Sequence, residues 1–98
     1  MTGKEKIEYL IYEYNNGKYT MNDFCDLYTS TFNFEVAQSD YSDEVYSQLE
    51  RLMRITSRYS SFVEDHKIDP KAFTNDEDVK KALADIDKVQ IKFNAEQV

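Results

Sequence analysis

Hydrophobic residues recur along this chain with the period of an α-helix in four separate stretches. Ile7, Leu10, Ile11 and Tyr14 fall at i, i+3, i+4 and i+7, which places them on one helical face. Asn15-Asn16-Gly17 follows, three residues that tolerate left-handed backbone and so stop a helix. Thr20-x-x-Asp23 then opens a second helix as a capping box with Asp in the usual Glu position. Phe24, Leu27, Tyr28 and Thr31/Phe32 carry its stripe, and 33–40 reads as a connection. Ser42 is the N-cap of a third helix whose apolar face is Val45, Leu49, Leu52, Met53 and Thr56. Its periodicity runs on to about Tyr59 or Phe62. Residues 64–73 lose the period, and Pro70 argues against one helix passing through them. Thr74-x-x-Glu77 is a second capping box, followed by Val79, Ala82, Leu83, Ile86, Val89/Gln90 and Phe93. The last five residues are expected to fray.

The pattern predicts helices over about 4–16, 21–33, 43–60 and 75–93, with short connections. Four amphipathic helices so joined define an all-α fold, a single-domain antiparallel four-helix bundle over residues 1–98. Two Gly and one Pro in 98 residues argue against turn-rich β architecture, and the length suits one domain. Aromatic residues at 14 % separate the chain from disordered sequences. One cysteine, Cys25, forms no internal disulfide, which suits a reducing compartment. No apolar run approaches the ~20 residues that span a bilayer, and the amino terminus has no apolar signal region. A cytoplasmic location with no membrane attachment is the expectation.

Charge changes the picture more than composition does. From Tyr19 through Glu50 there are seven acids (Asp23, Asp26, Glu35, Asp40, Asp43, Glu44, Glu50) and no lysine or arginine. The remaining residues carry twelve acids and twelve bases, so the whole net charge of −7 lies in that third of the chain. Ordinary exposed helices mix signs, and a one-signed field serves to steer a partner of opposite sign. Direct binding of nucleic acid is disfavoured, because that affinity comes from Lys and Arg on phosphates. A second acidic group, Glu64, Asp65 and Asp69, lies after the third helix. In an antiparallel bundle the two groups fall at different ends.

Catalytic chemistry has little behind it, and the chain reads as a non-enzyme. His66, the single histidine, sits in a charged connection and reads as a solvated residue. Cys25 lies beside Phe24 and Tyr28 and reads as a small buried hydrophobe. No Glu-x-x-His pair is present to build a di-iron site, and Asn75-Asp76-Glu77-Asp78 lacks the central Gly and spaced Glu of a calcium loop. No cofactor or metal is expected. Tyr41 and Tyr46 stand among carboxylates, and tyrosine combines contact area with a hydroxyl at little rotamer entropy, as binding hot spots require.

Several pieces, in this order, resemble the bacterial self-protective immunity family typified by the colicin D immunity protein. They are Tyr14-x-x-Gly17, Phe24-x-x-x-Tyr28-x-x-x-Phe32, Ser42-x-Glu44-Val45-Tyr46-x-x-Leu49-x-x-Leu52, Asp69-Pro70 and Glu77-x-Val79-x-x-Ala82-Leu83. The resemblance spans Ile7 to about Ile86. It implies a four-helix protein that binds one copy of a cognate nuclease toxin of colicin or contact-dependent growth inhibition type. Such toxins cleave transfer RNA, so the blocked surface would be a basic RNA-binding cleft. The family's contacts are acidic, so the acid groups here would take that role without matched positions. With the two tyrosines, the expected toxin-binding residues are Asp40, Tyr41, Asp43, Glu44, Tyr46, Glu50, Glu64, Asp65 and Asp69. The alternative from another class is a nucleic-acid mimic or regulatory adaptor that binds a host DNA-binding protein.

Overall fold

The computed structural model describes residues 2–88, and side chains to residue 86. Five helices follow one another: α1 (Gly3–Asn15), α2 (Met21–Glu35), α3 (Asp43–Thr56), the short α4 (Val63–Ile68) and α5 (Asp76–Lys88). A single 3₁₀ turn at Gln38–Asp40 bridges α2 to α3. The expected all-α architecture is present. Tyr14 stacks on Phe24 while Lys6 pairs with Glu35, so α1 and α2 run antiparallel. Phe32 meets Tyr46 while Tyr28 reaches Leu49, so α2 and α3 do too. Arg51 pairs with Asp85 and Tyr59 with Asp76, which sets α5 antiparallel to α3. Among the described residues no helix is long and apolar enough to cross a membrane.

Each helix starts and stops for an identifiable reason. Thr2 and Glu5 form a reciprocal capping box, with the Thr2 hydroxyl accepting from Glu5 N–H at 3.1 Å. That start lies one residue ahead of the boundary expected from periodicity. At the other end of α1, Lys18 N–H reaches Glu13 O and Gly17 N–H reaches Tyr14 O, both at 2.9 Å. This is the Schellman arrangement, and it needs Gly17 at φ +76°. Thr20 and Ser42 accept from Asp23 N–H and Val45 N–H, as their spacing predicts.

Thirteen apolar residues form one cluster: Ile7, Leu10 and Ile11; Phe24, Cys25, Tyr28 and Phe32; Leu49 and Leu52; Val79, Ala82, Leu83 and Ile86. Tyr14, Phe24, Tyr28, Phe32 and Tyr46 make a continuous run of rings with centroids 4.6–6.1 Å apart, threading α1, α2 and α3. Contacts at such spacing add roughly 0.5–1.5 kcal/mol each beyond burial. The Tyr28 hydroxyl is satisfied by donating to Leu49 O at 2.8 Å.

Four expectations change. Leu27 is 43 % exposed, because α2 turns Phe24, Cys25, Tyr28, Thr31 and Phe32 inward and leaves position 27 at the rim. The third helix stops at Thr56 rather than near 60. There Thr74 N–H donates to Arg58 O and Ser60 N–H to Thr74 O, an isolated parallel bridge that needs extended backbone at Tyr59. The aperiodic 64–73 stretch contains α4, whose His66 Nε2 lies 2.9 Å from Ser60 O. A carbonyl only accepts, so Nε2 carries the proton, and His66 is half-buried instead of solvated. Finally, the cap of α5 is Asn75 with Asp78, which exchange backbone-to-side-chain bonds of 2.9 and 3.0 Å. Thr74 is buried and donates its hydroxyl to Ile55 O at 2.7 Å. The expected positions Val89/Gln90 and Phe93, and the fraying tail, lie outside the described residues.

Gly3 closes the α1–α2 pair by proximity rather than by its own torsion angle. A Cβ at this position would fall on the Glu35 carbonyl. Gly3→Ala must therefore shift the start of α1 away from the end of α2 and loosen the adjoining Lys6–Glu35 pair. A loss of about 1–2 kcal/mol in urea unfolding is expected, although Ala is the better helix former. An unchanged or raised midpoint would show that the contact is not held in solution.

Candidate interaction surface

The base-free segment folds into α2, the 3₁₀ turn and the first half of α3. Of its seven acids, Glu35 pairs with Lys6, and Glu50 pairs with Arg54 at 3.1 Å. Asp23, Asp26, Asp40, Asp43 and Glu44 are exposed and have no ion-pair partner among the described residues. Three of these gather where the chain enters α3. The Asp40 carboxylate accepts from Ala37 N–H at 3.0 Å and closes the 3₁₀ turn. Ser42 caps α3, and Asp43 and Glu44 occupy its first turn, where the helix dipole favours carboxylates. The acids thus sit on a backbone fixed by its own caps, and little ordering cost remains for binding.

Tyr41 and Tyr46 frame this corner, but both pack inward. The Tyr41 ring rests against the core, with its hydroxyl 3.1 Å from Glu8 Oε1 and Lys4 Nζ 5.2 Å above its face. Burial, and then the Glu8 charge, push its pKa up. Tyr46 packs on Phe32 at 5.3 Å. The large apolar side chain standing clear at this end is Phe34, 85 % exposed in the last turn of α2. Phe34 was not singled out by the sequence pattern. Its signal is an aromatic residue off the inward stripe of α2.

The second acidic group lies beyond the other end of α3, a helix whose fourteen residues span about 20 Å. The nine expected contact residues therefore divide: Asp40, Tyr41, Asp43, Glu44 and Tyr46 gather at one end, Glu50 lies along the helix, and Glu64, Asp65 and Asp69 lie past its far end. Asp65 accepts from Ser60 Oγ at 2.5 Å and Asp69 from Lys71 N–H at 3.0 Å, so both also hold local structure. Glu64 is exposed beside Phe62 and Val63, themselves 67 % and 62 % exposed.

Several weak acids in the core run set an upper pH limit on the fold. Burial pushes the Cys25 thiol up to about 12, and it raises Tyr28 well above its ordinary value. Tyr14 and Tyr59 are also raised, by burial first and by Asp76 next; the Tyr59 hydroxyl donates to Asp76 at 2.6 Å. Each folded-state pKa lies above the unfolded one, so the neutral form is favoured by folding. That stabilisation is complete below about pH 9 and is lost as pH rises through the raised values. In an alkaline titration, part of the tyrosinate absorbance should arrive only together with loss of helical circular dichroism. Full ionisation with helicity intact would contradict this. Iodoacetamide at pH 8 should also label Cys25 far more slowly in the native chain than in guanidinium.

Among the described residues, no group of three His, Cys, Asp or Glu is placed to hold a metal ion. Comparison with family models, curated proteins and solved structures gives no match. The resemblance to the immunity family therefore rests on the sequence pieces alone.

Proposed function

We propose that this chain is a non-enzymatic immunity protein that neutralises a basic nuclease toxin, of the class that cleaves transfer RNA, by covering its RNA-binding cleft. One observation carries the reading: Asp40, Asp43 and Glu44 are presented together, without ion-pair partners among the described residues, on capped backbone at one end of the bundle. A ribonuclease must place Lys, Arg or His where phosphates pass. Carboxylates held in a fixed array occupy those positions and exclude the substrate. Phe34 supplies an exposed apolar side chain at the same end, where Tyr41 and Tyr46 pack against the core. An interface of about 800 Å² per partner fits one end of a molecule with extents of 42 × 27 × 25 Å.

The opposite fields speed encounter towards ~10⁸–10⁹ M⁻¹s⁻¹ at low salt, which an antidote needs because free toxin acts while unbound. Binding to the host's cytoplasmic proteins is not required by this scheme. The test is co-expression of this chain with the carboxy-terminal domain of the reading frame directly upstream. Cells should survive the nuclease domain only when the chain is present. Death in both cases would overturn the reading, and capture of a host DNA-binding protein in its place would favour a nucleic-acid mimic.

A further inference from the structure

A cleft of about 320 Å³ lies between the second half of α3, the turn at 70–74 and the first half of α5. Its lining is opposite in sign to the rest of the molecule: Arg51, Arg58, Lys71 and Lys81 against the single carboxylate of Asp78. The chain as a whole carries −7, so this concentration of cations is not a sample of the average surface.

The walls are held by backbone. Thr74 N–H donates to Arg58 O at 3.0 Å and Ser60 N–H to Thr74 O at 3.1 Å, tying the 70–74 turn to the end of α3. Thr74 Oγ1 adds a 2.7 Å bond to Ile55 O, directly beneath the cleft. Two of the charged groups are already engaged. Arg51 pairs with Asp85 at 2.6 Å, and the Asp78 carboxylate caps Asn75 N–H at 2.9 Å. Arg58 lines the cleft and donates its Nε to Arg54 O at 3.2 Å, and its terminal nitrogens have no hydrogen-bond partner among the described residues. No carboxylate stands within ion-pair distance of Arg58, Lys71 or Lys81 among the described residues. Ile55, Pro70 and Phe73 give the same cleft an apolar side.

We propose that this cleft binds a small phosphomonoester. The lining residues with their one ion-pair partner, Asp85, sum to a formal +2, four cations against Asp78 and Asp85, with Asp69 held by Lys71 N–H at the edge. A phosphomonoester carries about −1.5 to −2 at neutral pH and three acceptor oxygens, which matches that charge; a lone carboxylate or a phosphodiester carries only one. Arg58 offers paired donors, and Lys71 and Lys81 act as point charges around it. The volume is at the small end of ligand sites, which suits one phosphate with a single ring or sugar against Ile55, Pro70 and Phe73. The site is of the wrong sign for a basic nuclease and is independent of the acidic end of α3, so it stands or falls separately from the toxin reading.

The test is a titration of the full chain, labelled with nitrogen-15, with inorganic phosphate, adenosine 5′-monophosphate and adenosine at constant ionic strength. The first two should shift the backbone amides of Arg58, Lys71, Thr74 and Lys81, the nucleotide at lower concentration than phosphate. Arg58→Gln and Lys81→Gln should each raise the phosphate Kd roughly tenfold, while Lys18→Gln in the α1–α2 turn leaves it unchanged. Lys81 is exposed on α5, so its variant keeps the test open if Arg58→Gln loosens the bridge. Equal shifts with sodium chloride, equal binding by adenosine, or unchanged Kd in both variants would overturn the proposal.

Discussion

Leu52→Ala should destabilise the fold by about 3 kcal/mol, enough to lower the melting temperature of a chain this size by roughly 12–24 °C. Leu52 is 0 % exposed in α3, the helix that packs against both α2 and α5. Truncation removes the transfer energy of the buried side chain and leaves a cavity that two neighbouring helices cannot both move to fill. Small all-α domains hold only some 5–15 kcal/mol in total, so this one change consumes a large share. Arg54→Ala, two positions on and solvent-exposed, removes the Glu50 pair and should cost about 0.5 kcal/mol or less. Urea unfolding of the two variants measures the contrast. Similar losses would mean that α3 is not the centre of the packing.

The largest functional effect is expected from neutralising the acids at the start of α3. Asp40→Asn, Asp43→Asn and Glu44→Gln together keep the size of each side chain. The amide oxygen at position 40 retains the bond to Ala37 N–H. Loss of the dipole interaction at positions 43 and 44 costs roughly 0.3–1 kcal/mol each, which the fold tolerates. Association with the basic nuclease domain should slow by about 10–100-fold at low salt, and the gap should narrow as the ionic strength rises past physiological. Neutralising Glu64, Asp65 and Asp69 instead should change the rate much less, because they lie past the far end of α3, about 20 Å from the proposed face, where their field is weaker and more screened. Stopped-flow fluorescence of the two triple variants decides between the ends of the molecule. A slower rate only in the second would move the binding face to α4.

The helices were legible in the sequence because their signals are local. Ser42, Thr20 and Gly17 act within a turn of their own position, and each does what its spacing predicts. The errors arise where a distant residue decides. Thr74 and Asn75 both suit an N-cap, and Glu77 and Asp78 both sit three residues on. The choice of Asn75 follows from Thr74 being drawn inward to Ile55 O, nineteen residues away in sequence. The early end of α3 has the same origin, since Tyr59 must extend to pair with Thr74. The acid excess was also legible as composition, and its division between the two ends of α3 follows from antiparallel topology. Tyr41 and Tyr46 as anchors were less so: hydropathy does not distinguish a tyrosine that grips a partner from one whose ring packs on Phe32 or whose hydroxyl meets Glu8. The basic cleft escaped the sequence entirely. Arg51 and Arg58 lie twenty or more residues from Lys81 in sequence, and only the 70–74 turn and α5 bring them together around one cleft with Lys71.

Cleavage of transfer RNA by the proposed toxin's nuclease domain, measured with this chain added in increasing ratio, tests the proposed function most directly. Occlusion of the cleft predicts that cleavage falls in proportion to added chain and is abolished at one equivalent. Cleavage that persists in the presence of a several-fold molar excess would contradict it.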